Sequence, residues 1–324
     1  MQNHKFTISI RNPVKKIGIT ALVPPELIFS CGAAPFDVNN VIPASRKYPG
    51  NKLCAWTAVW KEMLVKREIK IDSLVVVAGG DCHNALVDGQ KAAMSGIPTH
   101  FFFYPFDGDT SYMESQLHRL SGFLGGMKSP DMFKEIADLK KQGRILDNKR
   151  CRGKLSSSDA FSILISFSDL AGDLAGFSRA ISALEEKDID IRNRVALIGV
   201  PPIYHDFHEI AQSIGLHIVF DELPFEFIRH GGCDIQEIAQ DYCDYTFARP
   251  LEFRIDFLKK ELKRRRVDGV IHYTQFACHH MLEDEVLREK LDYPVLTIQG
   301  DLPGNTPQQI ILRLEAFREM LDRI

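Results

Sequence analysis

An α/β fold of two lobes, each built on a parallel sheet, is what three observations in this chain predict. Apolar runs alternate with helical patterns towards both ends of the sequence. A segment from Asp72 to Pro98, DSLVVVAGGDCHNALVDGQKAAMSGIP, is matched without gaps 196 positions later by DGVIHYTQFACHHMLEDEVLREKLDYP, from Asp268 to Pro294. The strand-ending Val23-Pro24-Pro25 returns as Val200-Pro201-Pro202, at a different offset, 177. The chain therefore reads as two copies of one βαβ unit, separated further by insertions. Each copy carries a Cys-His pair, Cys82-His83 and Cys278-His279, where its strand turns into its helix. Open parallel sheets place ligand sites at the carboxyl ends of their strands, so a site shared between the lobes is expected.

Taken in order, Lys16 to Val23 reads as a buried strand. Pro24-Pro25-Glu26 opens a helix, because proline suits the first turn and an acidic side chain its positive end. The helix stops near Gly32, and Pro35 to Asn39 is a short strand. A loop over 40–52 leads to a helix begun by Cys54, with Leu53, Trp56, Val59, Trp60, Met63 and Leu64 on its apolar face. The first copy of the repeat follows, then the apolar run Thr99 to Pro105. Residues 106–190 are helical by pattern, with a polar stretch over 140–158 that suits an exposed loop. The α/β rhythm then resumes: a strand from Arg194, a helix to Ile214, a strand from Leu216, and helices near 235–242 and 250–266. The second copy of the repeat, a strand from Val295 and a helix over about 306–323 close the chain. The expected organisation is an N-terminal α/β lobe over 1–105, a helical connecting segment over 106–193, and a C-terminal α/β lobe over 194–324. Each lobe is expected to be Rossmann-like or flavodoxin-like, with right-handed crossovers.

Composition bounds the function. The chain has 324 residues, 45% hydrophobic and 26% charged, as in globular proteins. A net charge of -3 implies no general attraction to nucleic acid or anionic membrane. The basic runs Lys259-Lys260 and Arg264-Arg265-Arg266 fall at the end of an expected helix, where they suit its dipole on a solvated face. The polar start has no apolar signal core, and no run approaches the ~20 apolar residues of a membrane span. A cytoplasmic protein is the expectation, and there its seven cysteines are reduced thiols or metal ligands rather than disulfides.

Among these cysteines, Cys54, Cys82 and Cys278 occupy the positions that suit chemistry. Cys82 and Cys278 end strands, and Cys54 stands at a helix N-terminus, where a thiolate is stabilised. Three thiolates from three segments suit a [4Fe-4S] cluster with one iron left open. The alternatives are buried small hydrophobes, or zinc held by mixed Cys and His ligands. Cys31, Cys151, Cys233 and Cys243 read as structural. Glu26 is a candidate acid or base as well as a helix-terminus partner. His83, His279 and His280 are candidate proton carriers or donors to cluster sulfur, with His279 the first choice. Gly79-Gly80-Asp81 allows close backbone approach to a ligand but forms no nucleotide-binding signature.

VPPELIFSCGAAPFDVN, from Val23 to Asn39, resembles the opening of the 2-hydroxyacyl-CoA dehydratase family, which includes the cluster-bearing subunits of benzoyl-CoA reductase. The closing VLTIQGDLPGNTPQQIILRLEAFREML resembles the tail of the D-component type within that family. The order of three cysteines, in a loop before a helix, after an Asp-led strand and after a late Asp-Gly-Val-Ile strand, is met by Cys54, Cys82 and Cys278. The resemblance implies a [4Fe-4S] cluster on these cysteines in the cleft between the lobes, or, in the alternative, a double-cubane [8Fe-9S] cluster that reduces small molecules. It implies an ATP-dependent iron–sulfur activator as electron donor and an acyl-CoA substrate for a lyase or reductase. It also implies a homodimer or a heterodimer with a related subunit. A non-enzymatic two-lobed binding or scaffold protein is the remaining reading.

Overall fold

The computed structural model describes residues 14–43, 54–79 and 82–324. The stretch 44–53, which includes most of the expected loop and Leu53, and the pair Gly80-Asp81 lie outside the described residues. The first lobe runs β1 (Lys15–Ile19), α1 (Pro25–Ser30), β2 (Ala33–Asp37), α2 (Ala55–Val65), β3 (Ser73–Gly79), α3 (His83–Met94) and β4 (Thr99–Phe103). Four helices follow: α4 (Thr110–Leu124), α5 (Asp131–Cys151), α6 (Ser157–Leu164) and α7 (Leu174–Ser182). The second lobe holds β5 (Asn193–Gly199), α8 (Phe207–Ser213), β6 (Leu216–Asp221), α9 (Glu222–Arg229), α10 (Ile235–Tyr242), α11 (Leu251–Arg265), β7 (Gly269–Gln275), α12 (Asp284–Lys290), β8 (Val295–Gly300) and α13 (Gln308–Leu321).

The two sheets are both four-stranded and parallel throughout, in the orders β2-β1-β3-β4 and β6-β5-β7-β8. These orders are the same when each lobe is numbered from its own first strand, so the repeat is one of topology. It extends to single hydrogen bonds. The Lys16 N–H donates to the Asp72 carboxylate at 2.6 Å, and the Arg194 N–H donates to Asp268 at 2.7 Å. Leu74 N–H donates to the Pro98 carbonyl, and Val270 N–H to that of Pro294, both at 2.8 Å. The repeat loses symmetry after the cysteines. Cys82 caps α3 directly, whereas Cys278 leads into a 3₁₀ turn over His279–Glu283, and α12 begins only at Asp284.

Strand side chains alternate between two apolar layers, as the period of two requires. In the first sheet Ile17, Ile19, Val75, Val77 and Phe102 face a large core shared with α1, α4, α5, α7 and α10. Leu74 and Val76 face the opposite way, onto α2 and α3. In the second sheet Val195, Leu197, Ile218, Ile271 and Tyr273 meet α8 and α13, while Ala196, Ile198, Val219 and Val270 meet α11 and α12. Each sheet is therefore covered on both faces, as parallel sheets need.

Two expectations are corrected here. The polar stretch 140–158 is not an exposed loop: its first part is the last three turns of α5, and Ser157 begins α6. Lys140, Asp147 and Arg150 within it are buried because each meets a partner. Lys140 Nζ donates to Glu26 at 2.6 Å and to the Tyr242 hydroxyl at 2.7 Å. Arg150 pairs with Asp147 and Asp221, and Asp147 also pairs with Arg265. For the same reason Arg265 does not belong to a solvated basic face; it is 2% exposed, while Lys259, Lys260, Arg264 and Arg266 are exposed.

Removing one partner from a buried pair leaves an uncompensated charge. Lys140→Met is expected to lose about 3–5 kcal/mol of unfolding free energy. The double variant Glu26→Gln/Lys140→Met should recover more than half of that loss in urea titrations. His217 gives a pH dependence. Burial lowers its pKa from 6.5 to about 4, with its ring between the Ser157 hydroxyl and the Arg150 carbonyl. The unfolded state then binds a proton that the folded state refuses, so stability falls as pH drops from 6.5 towards 4. The loss should reach about 3 kcal/mol. It should be reduced in His217→Gln, measured as urea midpoints at pH 7 and pH 4.5.

Candidate functional site

The three cysteines singled out by sequence line one cavity of about 430 Å³ between the two lobes. Each is delivered by a different element. Cys54 is the residue before α2 begins, 5% exposed. The thiolate stabilisation expected from the helix N-terminus is not found: burial pushes the thiol up to about 12, and the neighbouring Cys278 adds to the rise. Cys82 caps α3, and its Sγ accepts the Ala85 N–H at 3.4 Å. Cys278 follows β7 through Ala277, a non-glycine residue with φ of 61°. That left-handed turn swings the chain back to the first lobe, where Asn84 Nδ2 donates to the Ala277 carbonyl at 2.9 Å. The His83 and His279 rings meet edge to face across the same junction, 5.1 Å apart. The contact places the two Cys-His pairs, one from each copy of the repeat, beside one another.

Beneath them runs a polar chain. His280 Nδ1 bonds Glu283 at 3.0 Å, and Glu283 also accepts from Arg254. Arg254 forks onto Glu222 at 2.6 and 2.8 Å, and Glu222 accepts the Gly199 N–H at 2.7 Å. Burial opposes ionisation of Glu283, but His280 and Arg254 outweigh it and hold the carboxyl at about 2. Burial, with His280 next to it, lowers His279 to about 4, so its ring is neutral at pH 7.

Several polar atoms on the cavity wall lack partners. Trp56 Nε1, Trp60 Nε1, Gln275 Oε1 and His280 Nε2 are buried without a hydrogen bond among the described residues, and all four side chains line the cavity. Buried polar groups are seldom left unpaired, which marks this wall as unusual. Among the described residues no three His, Cys, Asp or Glu side chains converge to hold a single ion. Three thiols nevertheless line the same cavity, a sulfur donor set. That arrangement suits an iron–sulfur cluster, whose ligands surround a body larger than one ion.

Glu26 lies elsewhere. It is fully buried in the pair with Lys140 and accepts the Tyr242 hydroxyl at 2.9 Å, and it is not among the cavity-lining residues. Cys31 packs in the core near the Ser121 hydroxyl, and Cys151 donates to the Val219 carbonyl at 3.1 Å. Cys243 is buried and Cys233 exposed.

Sequence reasoning missed the far wall. Ser158, Phe161, Ser162, Ile165 and Ser166 line the cavity from α6 and the turn after it, and their 3-1-3-1 spacing was the available signal of one helical face. His208 and Asp221 were also missed; they are adjacent only in space, with Nε2 and Oδ1 2.8 Å apart.

No helix among the described residues is long and apolar enough to cross a membrane. A family model described as 2-hydroxyglutaryl-CoA dehydratase, D-component, matches residues 20–321. No curated protein matches the chain.

The burial of Cys54 makes its thiol slow to react. With iodoacetamide at pH 7, metal-free protein should modify the exposed Cys233 at least about tenfold faster than Cys54, read by peptide mass spectrometry.

Proposed function

The chain belongs to the 2-hydroxyglutaryl-CoA dehydratase D-component family, and from that premise we propose that it is an iron–sulfur subunit of a 2-hydroxyacyl-CoA dehydratase or acyl-CoA reductase. Cys54, Cys82 and Cys278 hold a [4Fe-4S] cluster with one iron open towards substrate. A reduced, ATP-dependent iron–sulfur activator supplies the electron, and a related subunit completes the enzyme. One observation carries the reading: in a chain of this family, three cysteines from both lobes line a single cavity with unpaired polar atoms on its wall.

When bound, the cluster supplies one-electron transfer and a Lewis-acidic iron. The protein's own residues do the rest. The three thiolates fix the cluster between the lobes, which ties its integrity to the Asn84–Ala277 contact. The indole rings of Trp56 and Trp60 line the cavity. His280, held at Nδ1 by Glu283, lines it too. The neutral His279 ring is a candidate proton acceptor at the cavity. Val200, Pro201, Ile203 and Phe227 make much of the remaining wall apolar, which excludes water from reactive intermediates.

Anaerobically reconstituted protein should carry about four irons and four labile sulfides per chain, with a broad visible absorbance. Cys82→Ala/Cys278→Ala should lose them while keeping its far-ultraviolet circular dichroism. Iron-free wild-type protein after reconstitution would sink the proposal, and about eight irons per chain would point to the double-cubane cluster instead.

A further inference from the structure

The cavity has a second chemical feature, remote in sequence from the cysteines. His208, on α8, lines it while only 4% exposed. Its Nε2 bonds Asp221 Oδ1 at 2.8 Å, and the other Asp221 oxygen accepts from Arg150. Burial raises the Asp221 pKa, but His208 and Arg150 together outweigh this and hold the carboxyl below its ordinary value. An ionised carboxylate only accepts, so Nε2 carries the proton. In the neutral ring Nδ1 is then the acceptor. Among the described residues Nδ1 makes no hydrogen bond, and because the ring is a wall of the cavity, its lone pair is available to the occupant.

The surroundings of the ring are apolar. Phe161 stacks on it with ring centroids 3.9 Å apart and planes at 21°. Ile165, Leu223 and Phe227 complete this end of the cavity. Of the nearby hydroxyls, Ser162 on α6 donates its proton to the Ser158 carbonyl at 2.9 Å, and Ser166 in the turn after it donates to the Ser162 carbonyl at 3.0 Å. The acidic side chain on the described wall, Asp37, does not favour an anionic ligand. A ring acceptor fixed by its own partner in a largely apolar recess suits a ligand hydroxyl beside an uncharged chain.

We propose that His208 is the residue that reads the substrate's hydroxyl, accepting its hydrogen bond at Nδ1, with Asp221 as the positioning residue and the Phe161–Phe227 recess taking an apolar acyl chain. This rests on the thioester reading given above, and adds to it which residue selects the hydroxyl and which kind of chain the site accepts. It requires no bond to form or break at His208. The selectivity it predicts runs against a dicarboxylic acyl group such as 2-hydroxyglutaryl.

The test is isothermal titration of reconstituted protein with 2-hydroxyhexanoyl-CoA, hexanoyl-CoA and 2-hydroxyglutaryl-CoA, with iron content measured on the same samples. Wild-type protein should bind 2-hydroxyhexanoyl-CoA about tenfold tighter than either of the others. His208→Gln keeps an N–H for Asp221 but loses the aromatic acceptor. It should bring the hydroxyhexanoyl-to-hexanoyl ratio to within about twofold while iron content is kept. Asp221→Asn, which can donate to Nε2 and so move the ring proton to Nδ1, should also lower the ratio. A merely structural role would weaken both ligands alike and leave the ratio intact. Phe161→Ala should weaken both hexanoyl ligands equally. A retained ratio in His208→Gln, tighter binding of 2-hydroxyglutaryl-CoA by wild type, or no binding of any thioester overturns the assignment. Iron content judges the cluster separately, since a protein with four irons and no hydroxyl selectivity loses only His208, and one without iron loses the cluster whatever it binds.

Discussion

The structure depends on the charges buried along α5. This helix reads as polar, yet it is the beam on which both lobes are fastened. Lys140 reaches back to Glu26 on α1 and to Tyr242 on α10, and about two turns onward the Asp147–Arg150 pair reaches Asp221 on β6 and Arg265 on α11. Charges in a low-dielectric interior are tolerated only when paired and hydrogen-bonded, so each contact has a required partner and a required geometry. The consequence for the site is direct. Asp221, which α5 holds through Arg150, is also the carboxylate that fixes His208 in the cavity wall. The relative placement of the lobes and the orientation of a cavity side chain are thus set by one network.

That network explains both what the sequence reveals and what it hides. The strands, the cover of helices on both faces and the repeat were legible because they follow local rules: period-two burial, proline at helix starts, and a duplicated Asp and Pro whose hydrogen bonds recur at 196 positions' distance. That Cys82 and Cys278 line one crevice was legible because the strand ends of parallel sheets share an edge, and Cys54 lines it from the start of α2. The fate of Lys140, Asp147, Arg150 and Arg265 was not, because burial of a charge is decided by a partner 71 to 118 residues away. A sequence window sees four polar side chains and infers solvent. His208 stayed hidden for the same reason: its partner Asp221 is thirteen residues on, but across a strand and a turn.

The cavity divides its work along the fold. Its near side is built from the two matching Cys-His turns and the start of α2, and carries sulfur and imidazole. Its far side comes from α6, α8 and α9, and carries aromatic carbon and one oriented ring. The near side derives from the repeat, whereas α6 belongs to the inserted helices that have no counterpart in the other lobe. Variation in the inserted helices can therefore change what is held without disturbing the thiols.

The last cysteine also imposes an order on biosynthesis. Cys54 and Cys82 emerge from the ribosome long before Cys278, which the chain supplies only with β7, the third strand of the second sheet. The first lobe has its own sheet and one apolar layer of its own, on α2 and α3, while its other face waits for α4, α5, α7 and α10. During that interval its two thiols have no third companion, and the clasp of Asn84 onto Ala277 does not yet exist. Metal delivered early would meet an incomplete set of ligands. On the proposed cluster reading, the set of three thiols is complete only once β7 and the residues after it have been made.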